Sequence, residues 1–127
     1  MKKFEVSAEG IYREHKYQVL LRSHLELVLP YYCGYVRVSN DEHGHVLKNK
    51  ELYDNEFGWY NLQCHGSVTY DETGSMETME DRDSNEAWWI GFDCNHLGDT
   101  ILDYDLDFCI QECKTMIDQI VEGLKEE

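Results

Sequence analysis

Two short polar sequences contain the residue types best suited to chemistry. Cys64–Gly66 stands before one apolar segment, and Asp93–His96 stands directly after another. If those segments are neighbouring antiparallel strands, the start of one lies beside the end of the other. We therefore expect His65 to lie near Asp93 and His96, in a cluster that combines imidazole, carboxylate and thiol groups.

This cluster permits a metal-site interpretation and a nucleophile interpretation. The available metal-ligand types are those of His65, Asp93, Cys94, His96 and Asp99. Their spacing matches no standard zinc pattern, which favours a hydrogen-bonded network of histidine and aspartate over a metal site. Cys64 or Cys94 beside a histidine is typical of a thiol nucleophile with its base, but no oxyanion-hole signature accompanies either pair. We predict no metal, cofactor or catalytic residue, and keep as an alternative a metal-dependent enzyme acting at His65, Asp93, His96 and Asp99.

Aromatic side chains are more numerous than one small core needs. The 127 residues include three Trp, nine Tyr and four Phe. Exposed aromatic surface beside a few polar groups suits a planar ligand such as a nucleobase, or a protein interface. Trp88 and Trp89 must point to opposite faces if they lie on a strand. One is then expected in the core, and the other is available to a partner or to a helix; ordinary sheet packing is the alternative.

The net charge restricts the classes of partner. Eleven Lys and Arg face 26 Asp and Glu, for a formal net charge of −15. Duplex nucleic acid and anionic membranes both need a basic surface and are disfavoured. The acidic stretch from Asp71 to Glu86 lacks the spacing of a calcium-binding EF-hand loop and indicates a solvated excursion. A protein that blocks a basic host surface through its charge is a further functional alternative.

Compartment and thiol state follow from what the sequence lacks. The N-terminus turns polar before it reaches the length of a signal-peptide apolar region, and no window approaches the ~20 apolar residues of a membrane span. We therefore expect a cytoplasmic protein. The five cysteines have unrelated spacings. In a reducing compartment they indicate free thiols, most of them buried.

The chain length and the periodicity of apolar residues predict one α+β domain over residues 1–127. The expected strand segments are 4–8, 17–22, 25–29, 31–38, 67–70 and 87–92, with a turn at 9–10, a polar turn at 40–45 and an ordered aromatic loop over 48–60. From Leu106 onward the apolar residues form one continuous helical face, and Asp103 or Asp105 can cap its N-terminus. We predict an antiparallel β-sheet, roughly residues 3–94, with one long C-terminal helix, roughly 104–125, packed on it.

Three segments carry a resemblance to a known family. They are Tyr32-Cys33-Gly34-Tyr35-Val36-Arg37-Val38, Cys64-His65-Gly66-Ser67-Val68-Thr69-Tyr70 and Trp88-Trp89-Ile90-Gly91-Phe92-Asp93-Cys94-Asn95-His96-Leu97-Gly98-Asp99. Together with a helix that begins near Tyr104, they resemble the phage anti-Thoeris proteins of the first type, over about three quarters of the chain. The segment 88–99 is the most specific part.

The resemblance implies a sponge rather than an enzyme. Proteins of that family bind the cyclic ADP-ribose isomer made by a bacterial TIR enzyme and hold it uncleaved, so that the Thoeris effector is not activated. They assemble as dimers or larger oligomers, place the signal at subunit interfaces, and can take up cyclic oligonucleotides at separate sites. Asp105 stands where related sequences are expected to have a basic residue, which weighs against an oligonucleotide site there.

A cyclic ADP-ribose needs stacking for its purine, hydrogen bonds for its ribose hydroxyls and a cation for its diphosphate. Tyrosines and tryptophans suit the first task, His65, Asp93 and Asn95 the second, and Arg37 the third. The predicted ligand-binding residues are Tyr35, Arg37, Trp59, His65, Gly66, Trp89, Phe92, Asp93, Asn95 and His96.

Overall fold

The computed structural model describes residues 4–22, 30–73, 87–94 and 102–125. Its elements in chain order are β1 (Phe4–Tyr12), β2 (His15–Arg22), β3 (Tyr31–Ser39), α1 (Asn40–Lys48), β4 (Tyr53–Asp54), β5 (Trp59–Tyr60), β6 (Tyr70–Thr73), β7 (Ala87–Asp93) and α2 (Leu106–Lys125). The predicted fold class is confirmed, since α2 packs on a five-stranded antiparallel sheet.

The sheet has the strand order β1-β2-β3-β7-β6, and every neighbouring pair is antiparallel. We call the side that contacts α2 the front face and the opposite side the back face. Residue pairing assigns side chains to these faces, because paired residues share a face and successive residues alternate. Val36 pairs with Ile90 on the front face, whereas Tyr35 pairs with Gly91 on the back face.

The front face and α2 form the main core. The buried side chains of α2 are Cys109, Cys113, Met116, Ile117 and Ile120. They pack against front-face residues that include Val19, Val36 and Phe92. The backbone N–H of Phe108 donates to Asp105 Oδ1 over 2.9 Å, so Asp105 is the cap that the sequence offered beside Asp103. The helical face predicted from Leu106 onward is confirmed.

The prediction of a polar turn at 40–45 is wrong, because this segment begins α1. The Ser39 hydroxyl accepts from the Glu42 backbone N–H, and the Glu42 carboxylate accepts from the Ser39 N–H, which makes a complete capping box. His15 Nε2 also lies 2.5 Å from Glu42 Oε2, so β2 holds the first turn of the helix. Local capping and one tertiary contact therefore outweigh the poor helix propensity of Gly44.

The predicted turn at 9–10 is also misplaced. β1 continues to Tyr12, and the chain reverses at Arg13 and Glu14, whose φ angles are 47° and 70°. Two consecutive positive φ angles are typical of the tight turns that join twisted antiparallel strands. Arg13 is held there by α2, since its two terminal nitrogens donate to Asp118 over 2.9 Å and to Glu122 over 2.6 Å.

The strand predicted over 67–70 is displaced, since β6 begins at Tyr70 and runs to Thr73. The Asp71 carboxylate consequently belongs to the packed structure and not to a solvated excursion: Asp71 Oδ1 lies 3.2 Å from Nε2 of the buried His43. The segment 48–60 contains the small β4–β5 hairpin. The predicted strand 25–29 and the rest of the acidic stretch, 74–86, lie outside the described residues. Neither helix of the described part is long and apolar enough to cross a membrane.

Candidate functional site

A recess of about 440 Å³ lies on the back face where β2, β3, β6 and β7 meet. Its lining consists of Arg22, Tyr31, Cys33, Tyr35, Thr69, Tyr70, Phe92 and Asp93. Register brings these residues together: Arg22 pairs with Tyr31, and Cys33 pairs with Asp93. The volume lies within the range of small-molecule sites.

The cation of the recess is Arg22. Its Nη2 donates to the hydroxyl of Tyr35 over 3.2 Å, which fixes the guanidinium against an aromatic wall. The ring of Tyr70 meets that of Tyr35 edge to face, with 5.3 Å between the centroids. A fixed guanidinium can bind a phosphate through two parallel hydrogen bonds, and the neighbouring rings offer surfaces for a planar group.

The thiol of Cys33 and the hydroxyls of Tyr31 and Tyr35 stay uncharged at neutral pH. Burial raises the pKa of Cys33 to about 11, and burial also raises the pKa values of Tyr31 and Tyr35. The thiol is therefore protonated and a poor nucleophile. Asp93 supplies a carboxylate at the β7 end of the recess, where its Oδ2 accepts from the Thr69 hydroxyl over 3.0 Å.

Three of the predicted ligand-binding residues, Tyr35, Phe92 and Asp93, line this recess. Phe92 does so from the front-face core, where it is 1% exposed. Arg37 and Trp89 form a cross-strand pair on the back face but lie outside the recess. Arg22, and not the predicted Arg37, is therefore the arginine that lines the recess.

Trp88 and Trp89 point to opposite faces, as expected. Trp88 stacks on His43 of α1 with 3.9 Å between ring centroids. Trp89 is only 1% exposed and packs with Leu20, Cys33 and Tyr35 on the back face. Both rings are therefore packed within the chain.

We expected His65 to lie near Asp93, but the two side chains contact different residues in the described structure. The strands β6 and β7 are indeed antiparallel neighbours, but Thr69 is the residue whose backbone N–H bonds Gly91 and whose hydroxyl reaches Asp93. The His65 ring packs against Tyr104, with 4.2 Å between centroids, and against Phe108 at the start of α2. Gly66 lies in the turn at His65, where its φ angle of 70° is one that glycine adopts readily.

The remaining predicted site residues lie elsewhere. Trp59 is 58% exposed on the β4–β5 hairpin and stacks on Phe57 with 5.2 Å between centroids. Asn95, His96 and Asp99 lie outside the described residues. Within the described ranges, no three His, Cys, Asp or Glu side chains are grouped so that they could hold a metal ion.

The thiols considered as nucleophiles are shielded. Cys33, Cys94, Cys109 and Cys113 are buried and reduced, as the sequence predicted for most of the cysteines. Cys94 Sγ lies 3.7 Å from Cys109 Sγ in the core. Cys64 is half-buried, and burial raises its pKa to about 12, which opposes a thiolate at neutral pH.

The sequence interpretation missed Tyr31 and Tyr70, and it chose Arg37 although Arg22 is one of the five Lys and Arg residues between positions 20 and 100 that could neutralise a phosphate. Strand alternation alone would have placed Arg22 on the same face as Leu20 and opposite to Leu21. The strand pairing that sets Arg22 beside Tyr31 is a long-range contact without a local signal. Comparisons with protein-family models, with curated proteins and with solved structures found no match to this chain.

Proposed function

We propose that this chain is a phage-encoded anti-defence protein that binds a cyclic ADP-ribose-type signalling nucleotide and sequesters it without cleaving it. The observation that carries the proposal is the Arg22 guanidinium, held by Tyr35 at an aromatic recess on the back face. The family that residues 88–99 resemble binds such a signal and thereby blocks activation of the Thoeris effector. The proposed setting is the cytoplasm of an infected bacterium.

The recess offers a partner for each part of such a ligand. Arg22 suits the diphosphate, because a guanidinium binds phosphate oxygens in a planar, two-bonded geometry. The rings of Tyr31 and Tyr70 suit the purine. Thr69 and Asp93 suit the ribose hydroxyls, because a carboxylate accepts from a hydroxyl and the threonine hydroxyl both donates and accepts.

Sequestration requires binding without a reacting group. The Cys33 thiol in the recess, whose pKa burial raises to about 11, is protonated at neutral pH. A protonated thiol does not attack a phosphate or a glycosidic carbon. This supports a binding protein in preference to one that forms a covalent intermediate at this recess.

The net charge of −15 opposes the approach of a dianion. Short-range contacts at Arg22 must therefore supply the affinity. Added salt screens this long-range repulsion, because the Debye length is about 10 Å at 0.1 M ionic strength. We expect association with the nucleotide to quicken as moderate salt is added, opposite to the behaviour of a basic nucleotide-binding surface.

Calorimetry with a cyclic ADP-ribose isomer tests the proposal. Binding at micromolar protein is expected, and mass spectrometry of the heat-denatured complex should recover the intact nucleotide. Arg22→Met should weaken binding on the order of ten- to a hundredfold, the effect of one charge-assisted contact. Lys125→Met removes the same charge from a side chain that is 63% exposed at the end of α2 and should leave binding within about twofold.

Three results would overturn the proposal: no binding, recovery of a cleaved product, or equal losses in the two variants. Sedimentation of the free and loaded chain tests the accompanying proposal of a homodimer or higher homo-oligomer. A monomer at the concentration that binds the nucleotide would exclude a site shared between subunits.

A further inference from the structure

A second cavity, of about 210 Å³, lies on the same face at the other side of Tyr35. The β1–β2 hairpin borders it through Glu9, Ile11 and Gln18, and Trp89 borders it from β7. β3 lies between β2 and β7, so the Trp89 indole reaches across a strand to meet the hairpin. None of these residues lines the Arg22 recess.

Two polar atoms of the residues around this cavity are buried without a hydrogen-bond partner in the described structure. They are the side-chain oxygen of Gln18, a residue 5% exposed, and the indole nitrogen of Trp89, which is 1% exposed. Buried polar atoms are nearly always paired in native proteins. Leaving one unpaired destabilises the fold, because the atom has lost its hydrogen bonds to water without gaining others.

The hydrogen-bonding roles of the two atoms are fixed. Gln18 Nε2 donates to Glu9 Oε2 over 3.2 Å, and because an ionised carboxylate only accepts, the amide must direct its nitrogen toward Glu9. The opposite end of that amide, Oε1, is therefore an acceptor. The indole Nε1 of Trp89 is a donor only. Two residues that line the cavity thus carry one unused acceptor and one unused donor, both buried.

We propose that this cavity binds a neutral planar heterocycle that carries both a hydrogen-bond donor and an acceptor, the chemistry of a nucleobase. Its volume of about 210 Å³ is less than half the 440 Å³ of the Arg22 recess, which suits one ring system rather than a whole nucleotide. The indole of Trp89 and the side chain of Ile11 give it apolar walls. Glu9 and Lys16 contribute opposite charges, which favours a neutral ligand.

Gln18 Oε1 and Trp89 Nε1 are shielded from solvent. The ring of the ligand therefore reaches them only when side chains at the rim of the cavity move aside. Ile11, which is 71% exposed, is one such rim residue. The ring then supplies an acceptor to the indole N–H and a donor to the amide oxygen. This site does not depend on the proposed nucleotide recess, and the two can fail separately.

Nuclear magnetic resonance of the full chain labelled with ¹⁵N tests the proposal through the indole N–H signals of its three tryptophans. The probes are 9-methyladenine, 9-methylguanine, 1-methylcytosine and 1-methyluracil, which carry no phosphate and so do not report on Arg22. With at least one probe, the Trp89 indole signal should move downfield and saturate at millimolar concentration. Trp89→Phe identifies that signal by its loss; if this variant does not fold, sequential assignment of the indoles replaces it.

Gln18→Met removes the amide at similar side-chain volume and should weaken binding of that base at least tenfold. Gln111→Met makes the same change at an exposed position of α2 and should leave binding unchanged. The proposal is overturned if no base moves the Trp89 signal, or if Gln18→Met binds the base as tightly as the natural chain does.

Discussion

The ion pair between His15 and Glu42 should make stability depend on pH in a defined way. His15 Nε2 lies 2.5 Å from Glu42 Oε2, and His15 Nδ1 lies 2.9 Å from the carbonyl oxygen of Arg13. Both partners are acceptors, so both ring nitrogens must donate, and only the imidazolium has two N–H groups. The hydrogen bond with Glu42 raises the pKa of His15, and the same bond lowers the pKa of Glu42 to about 2.

The two shifts define opposite limits of the stabilised range. Because the His15 pKa is raised from 6.5, its contribution is complete below 6.5 and is lost as pH rises through the higher folded value. Because the Glu42 pKa is lowered from 4.5, its contribution is present above 4.5 and is lost as pH falls toward about 2. The pair therefore stabilises the fold most between pH 4.5 and 6.5.

The expected magnitude follows from the shift and the exposure of Glu42. A carboxyl pKa of about 2 against 4.5 corresponds to about 3 kcal/mol, at about 1.4 kcal/mol per pH unit. The Glu42 side chain is 32% exposed, and the Ser39 cap contributes to the same shift. Solvent screening and this shared cause reduce the share of the ion pair to about 1 to 2 kcal/mol.

Urea unfolding of Glu42→Gln measures this share, because glutamine can still accept the Ser39 N–H while it removes the charge. At about pH 5.5 the variant should lose about 1 to 2 kcal/mol of unfolding free energy, and clearly less at a pH above the raised pKa of His15, because the neutral ring can no longer donate twice. Glu51→Gln, an exposed position just beyond α1, is the control for the charge change. Equal losses at both pH values, or the same pH dependence in the control, would refute the reasoning.

Three further changes have expected outcomes. In Gly91→Ala the new Cβ would lie 2.4 Å from Cδ1 of Tyr35 and 2.7 Å from the Gly34 carbonyl oxygen, so urea unfolding should show a loss of about 1 to 3 kcal/mol, with weaker nucleotide binding; a variant of natural stability would contradict this. His43→Phe keeps a ring in the stack but removes the Nε2 contact with Asp71, and should cost about 1 to 3 kcal/mol; an unchanged urea midpoint would show that the contact is dispensable. Iodoacetamide at neutral pH should leave the four buried cysteines of the folded chain unmodified, whereas all five should react in urea; rapid labelling of a buried thiol in the fold would contradict the packing.

The parts of the fold that the sequence predicts are those with long local patterns. α2 repeats its apolar residues over 20 positions, and β7 reads Ala87 to Phe92 almost without a polar side chain. α1 lacks such a pattern, since only His43 and Val46 of its nine residues are buried. Its one local signal is the Ser39 to Glu42 capping box, which a search for that motif would have detected.

The candidate site was harder to predict because its members are distant in the sequence. Tyr35 and Asp93 lie in the segments 32–38 and 88–99, which resemble a known family. Arg22 lies outside those segments and enters the recess only through the pairing of β2 with β3. Arg37 has the same residue type and shares a face with Tyr35, yet its position in the register sets it beside Trp89. Register depends on contacts between segments, so residue type and alternation could not choose between the two arginines.

The two faces of the sheet differ in what they bury, and this difference supports the choice of the back face for both proposed sites. The front face buries apolar side chains against α2, an arrangement that stabilises the fold without needing hydrogen-bond partners. The back face holds the charged Arg22 against Tyr35 and leaves a donor on Trp89 and an acceptor on Gln18 unpaired, and the two unpaired atoms cost free energy. Local features that weaken a fold are expected mainly at functional sites, and both sites that we propose lie on the back face.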